Sequence, residues 1–256
     1  MKGVPERLAA LLWPRRCPFC DRVLPKDAFM GCICRECLSE IKRLTHEPPR
    51  LPDTEHEFYA VSGAASAFYY SDGVRHAILR CKEHGHPWYA QEFADMMAVM
   101  VFGAEASGYM SGTPVYHAPS GLLPYTVIVP VPPRRRGGGR MPYLLARRLS
   151  RILGIPLSCP LHTTREMKPQ KGLDLAGRLQ NTKDAYACRS GTDLSGARVL
   201  LVDDIITTGS TVSACALALL QGGAVSVFAV SVAAKEELPP EKRVPKQQQP
   251  QEKQSK

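Results

Sequence analysis

The segment Val199-Leu200-Leu201-Val202-Asp203-Asp204-Ile205-Ile206-Thr207-Thr208-Gly209-Ser210-Thr211 constrains this chain more than any other. Its four leading apolar residues predict a buried parallel strand. Two carboxylates stand at the strand's C-terminal end, a hydroxyl-rich turn follows, and residues 212–220 repeat apolar side chains at helical spacing. A helix capped by one Ser or Thr is common, but a single cap does not account for two adjacent acids followed by Thr-Thr-Gly-Ser-Thr. N–H groups at a helix start, with the hydroxyls of Thr207, Thr208, Ser210 and Thr211, suit a phosphate. Gly209 lets backbone approach without a Cβ in the way. Asp203 and Asp204 are then placed to accept hydrogen bonds from sugar hydroxyls or to hold Mg²⁺ through water.

Cysteine placement adds a second constraint. There are nine cysteines, five of them between Cys17 and Cys37. Cys17-Pro18-Phe19-Cys20 and Cys34-Arg35-Glu36-Cys37 form two Cys-x-x-Cys pairs at the spacing of a tetrahedral Zn²⁺ site. A shell closed by Cys17, Cys20, Cys34 and Cys37 leaves no position for water, so the metal is expected to be structural. Residues 13–49 carry too little apolar surface to fold without it. Cys32 is an alternative to Cys34 as a ligand, although the Cys-x-x-Cys spacing favours Cys34. Cys81, Cys159, Cys188 and Cys215 read as small buried hydrophobes.

Around these features the chain divides in four. Residues 1–13 are expected to form an N-terminal helix, 14–50 a four-cysteine zinc ribbon, 56–233 the main domain and 234–256 a disordered tail rich in Lys, Glu, Gln and Pro. Residues 47–52 are a Pro-rich linker. Residues 58–70 read as a hairpin or two short strands, residues 74–82 and 89–106 as helices, and the Gly/Pro/Ser-rich stretch 108–124 as a surface loop. Residues 126–131 predict a second buried strand that runs into the arginines of 134–140. A helix over 142–153 follows, with Gly154 as its C-cap, and 224–233 predicts a third buried strand. Strands alternating with helices from 126 to 233 imply a parallel α/β sheet with its site at the strand C-terminal ends. His84-Gly85-His86 reads as a solvated loop and is left out of the site. The formal charge of +9 favours anionic partners. No run approaches the ~20 apolar residues of a membrane helix. The apolar stretch 8–13 leads into Pro14-Arg15-Arg16 without a small-residue cleavage site. No membrane span, no signal peptide and a cytoplasmic location are therefore expected.

The strand, Asp-Asp and Thr-Thr-Gly-Ser-Thr resemble the type I phosphoribosyltransferases, whose signature for phosphoribosyl pyrophosphate (PRPP) has this order. The resemblance implies a type I phosphoribosyltransferase-like parallel sheet flanked by helices. It also implies that Thr207, Thr208, Gly209, Ser210 and Thr211 hold the 5′-phosphate, that Asp203 and Asp204 hold the ribose hydroxyls, and that Mg²⁺ accompanies PRPP. With the small four-cysteine module in front, the chain resembles one branch in particular, the ComF (competence protein F, GntX-like) family. Three further segments carry that likeness: Tyr70-Ser71-Asp72-Gly73-Val74-Arg75 with Ile78, Leu79 and Lys82; Val127-Ile128-Val129-Pro130-Val131-Pro132 with the arginines after it; and Arg165…Gln170-Lys171-Gly172-Leu173…Arg178-Leu179-Gln180-Asn181…Ala185-Tyr186. The chain departs from the family where ComF proteins carry Arg-Gly-Phe-Asn-Gln. Here Gly137-Gly138-Gly139-Arg140-Met141-Pro142 lacks both amides, and Pro142 lacks a backbone donor. The change bears on pyrophosphate contact and turnover more than on binding.

Two functions follow as expectations. In the first, a transferase displaces pyrophosphate from ribose C1, with Asp203 and Asp204 at the ribose. Arg134, Arg135 and Arg136 would stand on the pyrophosphate side, with Arg165 and Lys168 on a lid. In the second, which the ComF resemblance implies and which is favoured, a PRPP-binding protein acts in DNA uptake. Its partners would be single-stranded DNA and a competence helicase.

Overall fold

The structure is a computed structural model that describes residues 14–25, 28, 31–41, 58–83, 88–110, 113–118, 123–134, 140–164 and 185–235. Outside these residues lie the expected N-terminal helix, the linker, His84-Gly85-His86, Arg135, Arg136, residues 137–139, Arg165, Lys168, residues 170–181 and the tail from 236 onward.

A short helix α1 (Arg35–Glu40) belongs to the Cys module and is followed by β1 (Gly63–Tyr69), α2 (Asp72–Glu83) and α3 (Tyr89–Phe102). Next come β2 (Glu105–Met110), β3 (Thr113–His117), β4 (Val127–Pro130), α4 (Met141–Leu153), β5 (Leu161–Thr163) and β6 (Tyr186–Cys188). The chain then forms β7 (Arg198–Ile206), α5 (Ser210–Gln221) and β8 (Ser226–Ala234). Four strands make one sheet in the order β1-β8-β7-β4, with every neighbouring pair parallel. β2 pairs with β3, and β5 with β6, as antiparallel pairs.

Four local expectations are corrected. Residues 58–70 give a single strand, β1, whose partner is β8. Its sequence Gly-Ala-Ala-Ser-Ala-Phe-Tyr is buried on both faces, so it shows no alternation of polar and apolar residues. The helix expected over 89–106 stops at Gly103, which caps it at φ +68 with its N–H bonded to the Val99 carbonyl at 3.0 Å; Glu105 then begins β2. The stretch 108–124 contains the outer half of a hairpin, because β3 pairs back on β2. Cys159 is exposed, whereas Cys81 and Cys215 are buried and Cys188 half-buried.

The expected strands and helices around the site are present. α4 begins with Pro142 in its first turn, where a missing N–H breaks no helical bond, and ends at Gly154 with φ +68. α5 is dominated by Ala, Ser and Cys on its buried side, so it lies close against the sheet. Side chains alternate faces along a strand. Along β7, Val199 and Leu201 join the cluster beneath α5, whereas Leu200 and Val202 join the cluster shared with α3, α4 and the Cys module. Among the described residues no helix is long and apolar enough to cross a membrane.

Candidate functional site

The alternation that divides the core also divides the two acids. Asp203 falls on the α5 side of β7 and Asp204 on the side of α2, α3 and α4. Asp203 is 7% exposed, and its carboxylate accepts the backbone N–H of Asp204 at 2.8 Å. Burial first, and then the neighbouring Asp204 charge, push its carboxyl up to about 7. The Asp204 N–H, Lys82 and Arg134 oppose that shift. Asp204 is more open and takes an ion pair from Lys82 Nζ at 2.6 Å.

At the end of β7 the chain turns through Thr207 and Thr208 to Gly209, which stands at φ +81 as the residue before α5. An L side chain at that φ is strained, which is why glycine serves there. Gly209 has no side chain to cap the helix, and only a long contact from the Ser210 N–H to Thr208 Oγ1, 3.5 Å, reaches its first turn, the arrangement in which a helix start receives an anion. Thr208 and Ser210 hydroxyls lie 3.0 Å apart, and the Arg134 guanidinium donates to the Thr211 hydroxyl at 2.7 Å. These groups surround a pocket of about 520 Å³ lined by Tyr70, Lys82, Val131, Pro132, Pro133, Arg134, Pro142, Asp203, Asp204, Ile205, Thr207 and Thr211.

Of the residues expected in this site, the structure brings Asp203, Asp204, Thr207, Thr211 and Arg134 to one pocket, with Thr208, Gly209 and Ser210 in the adjoining turn. Sequence reasoning misses Tyr70 and Lys82 as site residues, although both lie in a segment that carries the family likeness. They enter because β1 adds to the sheet beside β8, which carries Tyr70 and α2 to the strand C-terminal ends. Tyr186 of β6 stands beside Arg134 without lining the pocket. Its hydroxyl is buried and faces the Arg134 guanidinium.

The four cysteines also come together. Sγ atoms of Cys17, Cys20, Cys34 and Cys37 all lie within 4.8 Å of one another, with Cys20 and Cys34 at 3.6 Å. Thiolates ~2.3 Å from one zinc ion stand about 3.8 Å apart, so the donor set fits a tetrahedral Zn²⁺. Against the upward push of burial, the Arg22 N–H and the neighbouring thiols draw Cys20 down to about 7. Burial pushes the Cys34 thiol up to about 11, and the Cys37 N–H opposes that shift. Backbone donors of this kind favour thiolate ligands.

Cys32 stands apart from this cluster. It lies with Glu92 and Asp95 of α3 inside a buried ionic network. Arg15 bonds both oxygens of Glu92 and reaches Asp95 at 3.7 Å, while Arg148 of α4 holds Asp95 at 2.6 and 3.2 Å. Cys32 Sγ is 3.6 Å from the Tyr116 hydroxyl. Two guanidinium groups already answer the two carboxylates, so this cluster is an ionic bridge between the Cys module and α3 and α4.

The Cys module is packed into the main core. Phe19, inside the first Cys-x-x-Cys, meets Phe68 and Phe93 edge-on at 5.7 and 5.8 Å. Tyr89 donates to the Asp21 carboxylate, and Arg80 of α2 donates to the Pro18 and Phe19 carbonyls at 3.1 and 3.2 Å.

A parallel sheet with paired acids and a hydroxyl turn at its strand ends defines an α/β domain of the class that takes ligands at those ends. The chain belongs to the phosphoribosyl transferase domain family, which matches residues 126–253. Among solved structures it is similar to a purine phosphoribosyltransferase from Pyrococcus horikoshii Ot3, at 26% identity over 46% of this chain and 68% of that one, with a TM-score of 0.31. It is also similar to an allosteric regulatory enzyme of purine biosynthesis, at 21% identity over 48% of this chain and 28% of that one, with a TM-score of 0.32. A comparison with curated protein sequences returns no match.

Proposed function

We propose that the pocket binds PRPP or a related sugar 5-phosphate. Asp203 and Asp204 would take the ribose hydroxyls, the turn from Thr207 to Thr211 the 5′-phosphate, and Arg134, with Arg135 and Arg136 beyond it, the pyrophosphate side. The observation that carries this reading is one pocket of about 520 Å³ lined jointly by the acid pair, Thr207, Thr211 and Arg134. Family membership over 126–253 supports the same ligand class.

Each group has a part that follows from its position. Asp204 accepts from a hydroxyl in the pocket, while Asp203, bonded to the backbone beneath it, fixes the end of β7. The α5 start and its hydroxyls neutralise the phosphate with dipoles and hydrogen bonds. Arg134 reaches from the β4 side to Thr211, so its guanidinium spans the entrance between the two anionic groups of the ligand. Pro142 removes one amide at the start of α4, which leaves the anion contact on that side to arginine side chains. Mg²⁺, when bound, supplies charge neutralisation of the pyrophosphate. Lys82 already stands as the cation beside Asp204, so the described residues form no dedicated Mg²⁺ cage, and the ion would be held by the ligand's own oxygens. Zn²⁺ on Cys17, Cys20, Cys34 and Cys37 is structural in this reading. Residues 14–50 form its module and 56–233 the ligand-binding domain.

The finer reading is a ComF-like protein that handles single-stranded DNA, with a helicase partner, in DNA uptake on the cytoplasmic side. The order of four-cysteine module and phosphoribosyltransferase-like domain supports it, together with the +9 charge. Calorimetric titration with PRPP and Mg²⁺ tests the ligand. The wild type is expected to bind and the Asp203→Ala/Asp204→Ala protein to lose binding; equal binding by both overturns the assignment. The DNA reading requires a gel shift with single-stranded DNA that weakens steeply with salt. The alternative reading, turnover with Asp203 and Asp204 as catalytic residues, rests on the intact acid pair and on Arg134 at the entrance. It requires pyrophosphate release from PRPP in the presence of some acceptor.

A further inference from the structure

Lys82 reaches the pocket from outside the βαβ unit that carries the acids and the hydroxyl turn. α2 follows β1 at the sheet edge, and its last turn sets the ammonium 2.6 Å from Asp204 Oδ2. Two residues earlier, Arg80 is bonded to the Pro18 and Phe19 carbonyls of the Cys module. The turn that carries Lys82 is thereby held from behind, and less side-chain freedom is lost when the ion pair forms. Such a partly exposed pair adds little to the stability of a fold. Its consequence lies in the pocket.

Two adjacent carboxylates repel each other, and a cation beside one of them balances that charge and fixes its oxygens, so that less freedom is lost when they accept a pair of hydroxyls. In many sugar-phosphate sites a divalent cation could supply that balance. In this chain Asp203 is fixed by the Asp204 N–H and Asp204 by Lys82, so both acids are oriented by the protein's own groups. We propose that Lys82 is a positioning residue for the hydroxyl end of the pocket. Its ammonium holds the Asp204 carboxylate so that a sugar 5-phosphate bearing a vicinal 2,3-diol binds without a divalent cation. This rests on the reading of the pocket as a sugar-phosphate site.

The probe is ribose 5-phosphate, which carries the diol and the phosphate but no pyrophosphate to bring in Mg²⁺. The zinc-loaded full chain is titrated calorimetrically in resin-treated buffer, with and without millimolar Mg²⁺. The wild type is expected to bind equally in both. Lys82→Met should bind roughly tenfold or more weakly without Mg²⁺, recover part of that loss when Mg²⁺ is added, and melt at the wild-type temperature. Lys82→Arg should stay near the wild type. Combining Lys82→Met with Asp204→Asn should weaken binding no further than Asp204→Asn alone. Wild-type binding that needs Mg²⁺, or a Lys82→Met protein that binds like the wild type without it, overturns the role of Lys82. A wild type that binds ribose 5-phosphate in neither buffer overturns the sugar-phosphate reading itself, and the proposal with it.

Discussion

The Cys module and the pocket solve opposite problems. The module draws its four thiols from residues 17–37, closes them on one another and presses Phe19 into the main core. The pocket draws its lining from Tyr70 to Thr211 and stays open enough to admit a ligand. The module's contacts reach α2, α3 and β1, and through Cys32 and Asp95 also β3 and α4. The pocket keeps donors and charges turned toward a space that solvent reaches. A region that gathers its chemistry locally acts here as a brace, and a region that gathers it from distant segments acts on something outside the chain. Changes to the first should therefore move stability, and changes to the second should move binding.

The largest expected effect breaks the brace. Cys37→Ser, or removal of the metal by a strong chelator, should lower the melting temperature by about 10 °C or more, because a structural zinc site contributes folding energy directly. Scanning calorimetry with zinc analysis checks this, and an unchanged melting curve would show that the module braces nothing. Next, Asp204→Asn should weaken ribose 5-phosphate binding by about 10–100-fold while the melting temperature moves by less than about 2 °C. A large loss of stability with little loss of binding would reverse the comparison at that residue.

Asp203 sharpens the contrast, since it serves the site at the expense of the fold. Its carboxyl is held up to about 7, above the value of 3.8 for an unburied group. Below about pH 4 both the folded and unfolded chains carry the proton. As the pH rises toward 7 only the unfolded chain gives it up, so this contribution to stability is lost over that interval. Asp203→Asn should flatten the loss. Its melting temperature relative to the wild type should climb by about 2–6 °C between pH 4.5 and pH 8, as thermal melts across pH would show. The smallest effect is expected at Gly209→Ala, where a Cβ at φ +81 costs about 1 kcal/mol and tilts the α5 start. Denaturant titration measures the stability term and calorimetry the accompanying loss of affinity.

Much of the fold is legible in the sequence because its signals are short-range. β4, β7 and β8 announce themselves as apolar runs, and α4 as a periodic stretch closed by Gly154. The four-cysteine cluster follows from spacing alone. β1 is legible only as strand: residues 58–70 read as a hairpin or two short strands, because a strand buried on both faces and rich in Ala does not show its pairing, and its partner β8 lies far along the chain. The hairpin of β2 and β3 is hidden by Gly and Pro, which are as much at home in an irregular loop. Missing the pairing of β1 with β8 means missing where it carries the chain, so Tyr70 and Lys82 are absent from the expected site. Spacing favours Cys34 over Cys32 as a ligand, but it does not show where Cys32 goes. Its partners Arg15, Glu92 and Tyr116 come from segments that only the folded chain assembles.

Asp203 and Asp204 are the same letter written twice, yet the pleat of β7 gives them different neighbours. One faces Ser231 of β8 in register and the shelter of α5, and the other faces the Lys82 ammonium. The repeat is therefore not redundant, and neither acid can stand in for the other. A glutamate in the second position would reach further into open space, whereas in the first its extra methylene would have to be pushed into packed sheet. A one-residue slip of β7 against its neighbours would turn each acid to the other's face without changing a single letter of the motif.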